Sequence, residues 1–497
     1  MNFKRLLFIV LFSFVFMYIK DQYCFAEEQV IELSLKECVD QVLVKNLNFK
    51  SSYLGLRLGD LSVVQAESKF DPSLSMNMSR GQSQTPTFYE YYKVSSIESK
   101  STQLNLTLDQ NLTTGANWGV GLYNTLSESN IEVEKNYTSY FGFNVSQPLL
   151  KGFGKKVNYS NVYITRLNRE TTVHDLERGA IELIYEVQRA YWNLVYAWES
   201  LRVMELSVHQ ADSLLAYNRK GLELGVLTET DVLEAESMLL SRRQDVLDQT
   251  SQIRESEDVL RRLLNLTSDE DWKGRIVPTD KPEVTDIDLD VDANLVKATE
   301  LRPDYIIARK TLEEYELYHA LSKNSMLPNL NLSARYNING SGKTYSKNLR
   351  DMGDFDQYGW NVGLMFSYPL KNRDAKADYE KKQIEIRRAN LNIDDLKSRI
   401  MTEIRAGIRN VQIARERIDV ARLSVDVDEL KLKKEEERFR NQLTSSYYVL
   451  QFQRDLANSR NLYHKALMDY TMAIVELQRA RGTLLRDLNI SILSIEN

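Results

Sequence analysis

The sequence predicts an α+β membrane protein built as a tandem structural duplication, with strands that belong to a β-barrel and helices too long for one compact globule. Three observations predict it: prolines that recur at a fixed offset, apolar residues at heptad spacing over long proline-free stretches, and short segments alternating apolar residues with Ser, Thr or Asn. At 497 residues, with 43% hydrophobic and 27% charged content, the chain can bury a core.

The N-terminus comes first. Lys4 and Arg5, the apolar run Leu6 to Ile19, and Cys24-Phe25-Ala26 read as a secretory signal peptide over residues 1–26. The run is short for a membrane span, although an N-terminal anchor helix is the alternative reading. A lipid-anchored Cys24 does not fit, because Asp21-Gln22-Tyr23 supplies neither the aliphatic nor the small residues that such a signal needs. Cleavage after Ala26 takes the formal net charge from −6 to −8, unlike a nucleic-acid binder. It also leaves Cys38 as the lone cysteine, read as a small buried hydrophobe with no disulfide partner in an oxidising compartment. No later run reaches eighteen apolar residues, so no transmembrane helix is expected.

The body of the chain repeats one plan. Pro72 and Pro328 lie 256 residues apart, and the same offset lays KNLNF (45–49) over LRPDY (301–305). The exits match as well, Gln147-Pro148-Leu149 against Tyr368-Pro369-Leu370. The first repeat is read as 27–266, a Pro- and Asp-rich linker as 267–292, the second repeat as 293–486 and a tail as 487–497. Each repeat reads as a helix, a strand region, a long outgoing helix and a returning helix.

The outgoing helix of the first repeat carries Ile184, Val187, Tyr191, Leu194, Trp198 and Leu201 at alternating spacings of 3 and 4. Met204, Val208, Ala211 and Leu215 continue it after a shift, and Leu239, Val246, Ile253 and Leu260 return at sevens. The second repeat agrees, with Val411, Ala414, Ile418, Ala421 and Val425 outward, and Tyr463, Leu467, Tyr470, Ile474 and Leu477 back. From about 156 to 225 there is no proline, room for a helix of roughly 100 Å.

In the strand regions Leu74, Met76 and Met78 alternate with Ser75 and Asn77, Leu104, Leu106 and Leu108 with Asn105 and Thr107, and Leu330 and Leu332 with Asn329 and Asn331. A lipid-facing barrel with a wet lumen has this pattern, and so does a half-exposed soluble sheet. Trp118, Tyr123, Tyr137, Tyr140, Tyr358 and Trp360 suit interfacial girdles. The combination of export signal, absent apolar helices, alternating strands and very long helices favours the membrane. The segment 104–124 reads as two strands about a Thr-Thr-Gly-Ala turn.

Several pieces, in this order and duplicated, resemble the TolC-like outer-membrane efflux family: LSLKECVDQVLVKNL (33–47), FDPSLSM (70–76), SQPLLKGFG (146–154), AYWNLVYAWESL (190–201), GVLTETDVLEAES (225–237), LRPDY (301–305), LPNLNL (327–332), YPLKNR (368–373) and ALMDYTMAIVELQRARGTLL (466–485). The resemblance implies a homotrimer whose strands share one outer-membrane barrel and whose helices form a periplasmic tunnel. It further implies an exit duct for a tripartite efflux or type I secretion system, partnered by a periplasmic adaptor (membrane fusion) protein, an inner-membrane pump and outer-membrane lipid. No nucleic acid, cofactor or metal is implied. Pro72, Pro148, Pro328 and Pro369 then mark the hand-over from strand to helix, since proline lacks the ladder donor.

The family's periplasmic tip falls on two reversals, 221–234 and 438–451. Gly225 supplies a left-handed residue, Thr228 or Thr230 caps the returning helix, and Asp231 and Glu234 sit in its first turn. An offset of 217 lays Gly225 on Gln442, Asp231 on Tyr448 and Glu234 on Gln451. In TolC itself the positions matching Tyr448 and Gln451 are aspartates, so the acidic ring at the entrance is expected to be missing here. The second turn, which also holds Thr444, is expected to use Asn441 as its left-handed residue. The resemblance implies four strands per subunit, whereas 76 residues separate Pro72 from Pro148 against 41 between Pro328 and Pro369.

Two other function classes are weighed. A periplasmic or surface coiled-coil scaffold without transport activity would explain the heptads but not strands recurring at matched points. An enzyme is not expected: His174, His209, His319 and His464 are scattered without metal-ligand spacing, and there is no phosphate loop or nucleophile elbow.

Overall fold

The structure is a computed structural model that describes residues 30–86, 95–131, 135–285 and 287–492, so the signal segment with Cys24 lies outside the described residues. The chain runs β1 (Val30–Leu33), α1 (Leu35–Lys45), α2 (Leu47–Glu67), β2 (Ser73–Pro86), β3 (Ser96–Asn111), β4 (Asn117–Ser129), β5 (Asn136–Pro148), α3 (Ser160–Glu223) and α4 (Glu229–Leu264). The short strand β6 (Arg275–Pro278) follows. Then come α5 (Val291–Leu301), α6 (Pro303–Ser325), β7 (Asn329–Gly342), α7 (Tyr345–Gly353), β8 (Tyr358–Ser367), α8 (Arg373–Arg440) and α9 (Ser446–Ala480). Among the described residues no helix is long and apolar enough to cross a membrane.

The duplication is visible in how helices start and stop. α1 opens with a capping box in which Ser34 and Glu37 satisfy each other's backbone N–H groups, and it breaks at Asn46. The matching α5 is capped by Asp290 and breaks at Arg302, after which Pro303 opens α6 at the position where a missing N–H costs nothing. The four junction prolines bound strands: Pro72 and Pro328 precede β2 and β7, Pro148 is the last residue of β5, and Pro369 follows β8. There the Leu149 N–H donates to the Leu330 carbonyl (2.7 Å) and the Lys151 N–H to that of Pro328 (3.2 Å), which ties the exit of the first strand region to the entry of the second.

The six long strands form one antiparallel sheet in the order β2-β3-β4-β5-β7-β8. The ladder registers align side chains in rows across it. Leu74, Leu108, Val120, Phe143, Tyr336 and Trp360 form one row; Met76, Leu106, Leu122, Phe141, Ile338 and Tyr358 form another on the same face. The intervening row on the opposite face is Ser75, Thr107, Gly121, Gly142, Asn337 and Gly359. Because side chains alternate across a strand, the sequence pattern makes one continuous apolar face and one polar face. Trp118, Tyr137, Tyr358 and Trp360 lie on the apolar side. Tyr123 and Tyr140 do not fit the girdle expectation, since they point to the polar face and stack on each other at 4.4 Å. The β3–β4 hairpin turns through Gly115 (φ 93°), and α7 packs on β5 and β7, where the Asn348 amide donates to Ser139 Oγ (2.6 Å).

The helical seams pack as their spacing requires. Ile184, Val187, Tyr191, Leu194, Leu201, Ile253, Leu260, Ile418, Tyr470 and Leu477 are all buried. Cys38 is buried and free, and burial pushes its thiol up to about 12. The linker stretch is more ordered than a tether. β6 pairs in parallel with β1, the Glu257 carboxylate accepts the Ile276 N–H (3.0 Å) and the buried Arg261 guanidinium (3.2 Å), and Asp280 receives Tyr191 Oη–H (2.7 Å) and the Leu35 N–H (2.6 Å). A buried ion pair is tolerable here because backbone groups satisfy its remaining valences.

The compact units are not the repeats. Among the described residues, one comprises those up to Tyr53, Leu176–Pro303 and those from Lys397 on, and the other Leu54–Asp175 and Asp304–Leu396, so each takes part of both copies. Like elements of the two copies pack together, strands with strands and hairpins with hairpins.

Candidate functional site

The two helical hairpins end in turns of the same design. In the first, the Gly225 N–H donates to the Leu222 carbonyl (2.9 Å) and the Val226 N–H to that of Gly221 (2.9 Å), with Gly225 left-handed at φ 74°. In the second, the Gln442 N–H donates to the Phe439 carbonyl and the Leu443 N–H to that of Arg438, both at 2.9 Å, with Gln442 at φ 58°. Both are the paired 6→1 and 5→2 bonds that close a helix through a left-handed residue. The expectation for Asn441 is thereby corrected: it remains bonded to the Glu437 carbonyl as the last helical N–H, and the left-handed residue is Gln442, in register with Gly225. Asparagine tolerates that conformation better, but the backbone geometry fixes which residue must adopt it.

The returning helices start differently. Thr228 caps α4 in a full capping box: its Oγ1 accepts the Asp231 N–H (3.3 Å), while Asp231 Oδ2 accepts the Thr228 N–H (2.9 Å) and hydroxyl (2.6 Å). Those bonds from Thr228 hold the Asp231 carboxyl below the usual carboxylate range. In α9 the cap position is Ser445, which makes no side-chain capping bond, and Tyr448 at the third helical position supplies no carboxylate to accept the Ser445 N–H in return. Asp231 reaches across instead: its Oδ1 accepts a bond from the buried Ser446 hydroxyl of the second hairpin (3.4 Å), and its backbone carbonyl accepts the Asn218 amide (2.9 Å). One residue thus ties together three helices, its carboxylate joining the two hairpins and its backbone carbonyl holding α3.

Beneath the turns, Ala211, Leu215, Ala235, Leu239, Phe439, Val449 and Leu450 form a shared apolar core. Beside it, α4 and α9 enclose a groove of about 550 Å³ lined by Thr230, Glu234, Met238, Arg242, Tyr447 and Gln451 among others. Glu234, Tyr448 and Asn441 are exposed and Thr444 is half-buried. Gly225, Thr228, Asp231, Glu234 and Gln442 therefore gather with Thr444, Tyr448 and Gln451 at one end of the helical unit. The junction prolines belong to the strand unit and form a separate set. Ser446, Asn218 and Tyr447 were missed by sequence reasoning; a polar Asn218 between apolar Leu214 and Leu215 and the helix end was the available signal. Among the described residues no group of three or more His, Cys, Asp or Glu side chains could hold a metal ion.

The family model described as outer membrane efflux protein matches residues 120–266 and 294–483, more than half of the chain and both copies of the plan. The chain belongs to the outer membrane efflux protein family. Its role is that of an outer-membrane efflux duct, and the family consists of transport conduits. Its fold is similar to the CmeC outer membrane channel of Campylobacter jejuni (TM-score 0.67, 16% identity, 90% of this chain and 86% of that chain covered). It is also similar to a membrane protein of Pseudomonas aeruginosa (0.67, 16%, 90% and 93%) and to the open state of the MtrE outer membrane channel of Neisseria gonorrhoeae (0.64, 14%, 91% and 89%). No curated protein matches in sequence.

Proposed function

We propose that three copies of this outer membrane efflux protein surround one continuous pore, and that the paired hairpin turns form its periplasmic gate and the docking face for an adaptor. The observation that carries the trimer is a second heptad seam, pointing away from the chain's own core. On α8, Val420, Leu423, Val427 and Leu430 follow spacings of 3, 4 and 3 yet are 68%, 63%, 51% and 59% exposed. On α4, Leu233, Leu240 and Leu247 repeat at sevens and are 59%, 60% and 70% exposed. Such stripes match the seams that coiled helices bury against one another, and neighbouring copies supply the helices that would cover them.

Binding of an adaptor can open the gate only through contacts that differ between open and closed arrangements. Asp231 is suited to that role, since its bond to Ser446 spans the two hairpins of one copy. With Tyr448 and Gln451 at the matching second-copy positions, Asp231 and Glu234 supply a weaker acidic entrance, which favours weak cation selectivity.

The protein in detergent should run at about three times the subunit mass, and a stable monomer would overturn the assembly. Val427→Asp, which places an unpaired charge in the seam, should cost about 3 kcal/mol per copy and release monomers. In planar bilayers Asp231→Ala should raise resting conductance while leaving the trimer intact. Unchanged conductance together with unchanged cargo export would reduce Asp231 to a helix cap.

A further inference from the structure

The exit ducts implied by the family resemblance bring four strands per subunit; the described residues of this chain lay six in one sheet. The added pair is β3 and β4, and three observations bear on where it sits. First, both strands lie inside the sheet, between β2 and β5, so they cannot leave the membrane without taking β2 with them. Second, their side chains continue the same rows: Leu106 and Leu122 complete the apolar row between Met76 and Phe141, while Thr107 and Gly121 complete the polar one. Third, the apolar band runs obliquely across the ladder. Its centre on β2 is Met76, whose row ends at Tyr358, but its centre on β8 is Val362, four residues further along. At about 3.4 Å per residue, against five inter-strand steps of about 4.8 Å, the strands tilt by about 30° from the normal to the band, close to the inclination of strands from the axis in membrane barrels.

A sheet with this face is incomplete. Among the described residues β2 and β8 each have one edge with no strand partner, and unpaired N–H and C=O groups cannot face hydrocarbon. Because every neighbouring pair is antiparallel and the strand number is even, β2 of one copy runs antiparallel to β8 of the next, so head-to-tail pairing closes without a defect.

We infer that the β3–β4 hairpin spans the outer membrane and that β2 of each copy pairs with β8 of a second copy, so that three copies form an eighteen-stranded barrel rather than a twelve-stranded one. This rests on the trimeric channel proposed above. With strands about 4.8 Å apart and tilted 30–40°, such a barrel is about 35 Å across between backbones, against about 23 Å for twelve strands. The duct would then be wider where it crosses the outer membrane.

The test uses single cysteines carrying an environment-sensitive fluorophore in the oligomer reconstituted into lipid vesicles: Leu106→Cys and Leu122→Cys in the added hairpin, Asn105→Cys on the polar face, and Leu364→Cys on β8. Labels at 106, 122 and 364 should be quenched by a lipid-borne quencher and the label at 105 by a water-soluble one. Quenching at 364 without quenching at 106 and 122 overturns the inference and leaves the channel reading intact. Lipid quenching at none of them overturns both. A second measurement covers the seam: with Met76→Cys, one of Tyr358→Cys, Trp360→Cys or Val362→Cys in the same chain should yield disulfide-linked oligomers up to the trimer. Absence of crosslinks in all three, with the oligomer mass unchanged, overturns the β2–β8 pairing.

Discussion

The two hairpin turns share the paired backbone bonds that close them and almost none of the side chains that make such a turn easy. The first has Gly at the left-handed position and an Asp that completes its capping box; the second has Gln442 and Tyr448 at those places. Deeper in, Gly221 of the first turn faces Leu227, while the matching residues of the second are Arg438 and Thr444. A Cβ on Gly221 would come within 2.8 Å of Leu227 Cγ. The small and large residues have exchanged places, so each turn keeps its backbone by a different division of volume. The first turn is therefore built to stay closed, and the second depends on the first for the bond between Ser446 and Asp231.

That volume exchange offers the largest effect. Gly221→Arg alone should overpack the first turn against Leu227 and cost about 2–3 kcal/mol, read as faster amide hydrogen exchange at residues 221–228 in the intact oligomer. Gly221→Arg combined with Leu227→Thr, the pairing found in the second hairpin, should recover at least half of the loss. Failure of the second substitution to help would mean that the two turns are not interchangeable solutions of one geometry.

The left-handed position comes next. Gly225 has open space around it, so Gly225→Val meets no clash and its cost is purely conformational, about 1–2 kcal/mol. Gln442→Gly should do the opposite and slow exchange at 438–445, by an amount equivalent to about 0.5–1 kcal/mol, since glycine removes the strain but gains freedom in the unfolded chain. Equal responses of both turns to glycine and valine would break the contrast between them.

How much of this was legible follows from the range of each interaction. Heptad seams such as Ile184 to Leu201 and caps such as Thr228 with Asp231 act within a few residues, and their spacing states them. The junction prolines were visible because the copies can be laid over each other. Counting by the same offset places Gln442 opposite Gly225, and only the general preference of asparagine for the left-handed region pointed to Asn441. What the sequence could not state is pairing at a distance. That β5 of one copy lies beside β7 of the other, that residues 275–278 dock on β1, and that Asp231 reaches Ser446 are contacts between residues tens to hundreds of positions apart. The extra hairpin was readable as a hairpin, but its place inside the sheet depends on ladder register, which no local signal encodes.

Transplanting the cap should have a smaller effect. Tyr448→Asp places a carboxylate three residues after Ser445, where it can accept the Ser445 N–H as Asp231 accepts that of Thr228, and where it also meets the positive end of α9. The second turn should gain about 0.5–1 kcal/mol in local exchange, and in bilayers the channel should become more cation-selective as acidic groups are added at the entrance. A gain in stability with no change in selectivity would put residue 448 outside the conducting path.

The smallest expected difference is in pH response, and its sign follows from the direction of the Asp231 shift. Its carboxyl is held below the ordinary range by the Thr228 bonds, so the folded first turn favours the ionised form. The stability this contributes is fully present above the ordinary carboxylate value of about 3.9 and is lost as pH falls through the lower folded value. Acidification should therefore loosen residues 225–231 after correction for intrinsic exchange rates, and should weaken the bond that Asp231 accepts from Ser446. The cap of the second turn contains no titrating group, so residues 442–448 should respond only through that shared bond. Asp231→Asn should abolish the acid response of the first turn and leave both turns equally indifferent to pH. If the acid response persists in that variant, the carboxylate responsible lies elsewhere, and the asymmetry between the turns does not arise from their caps.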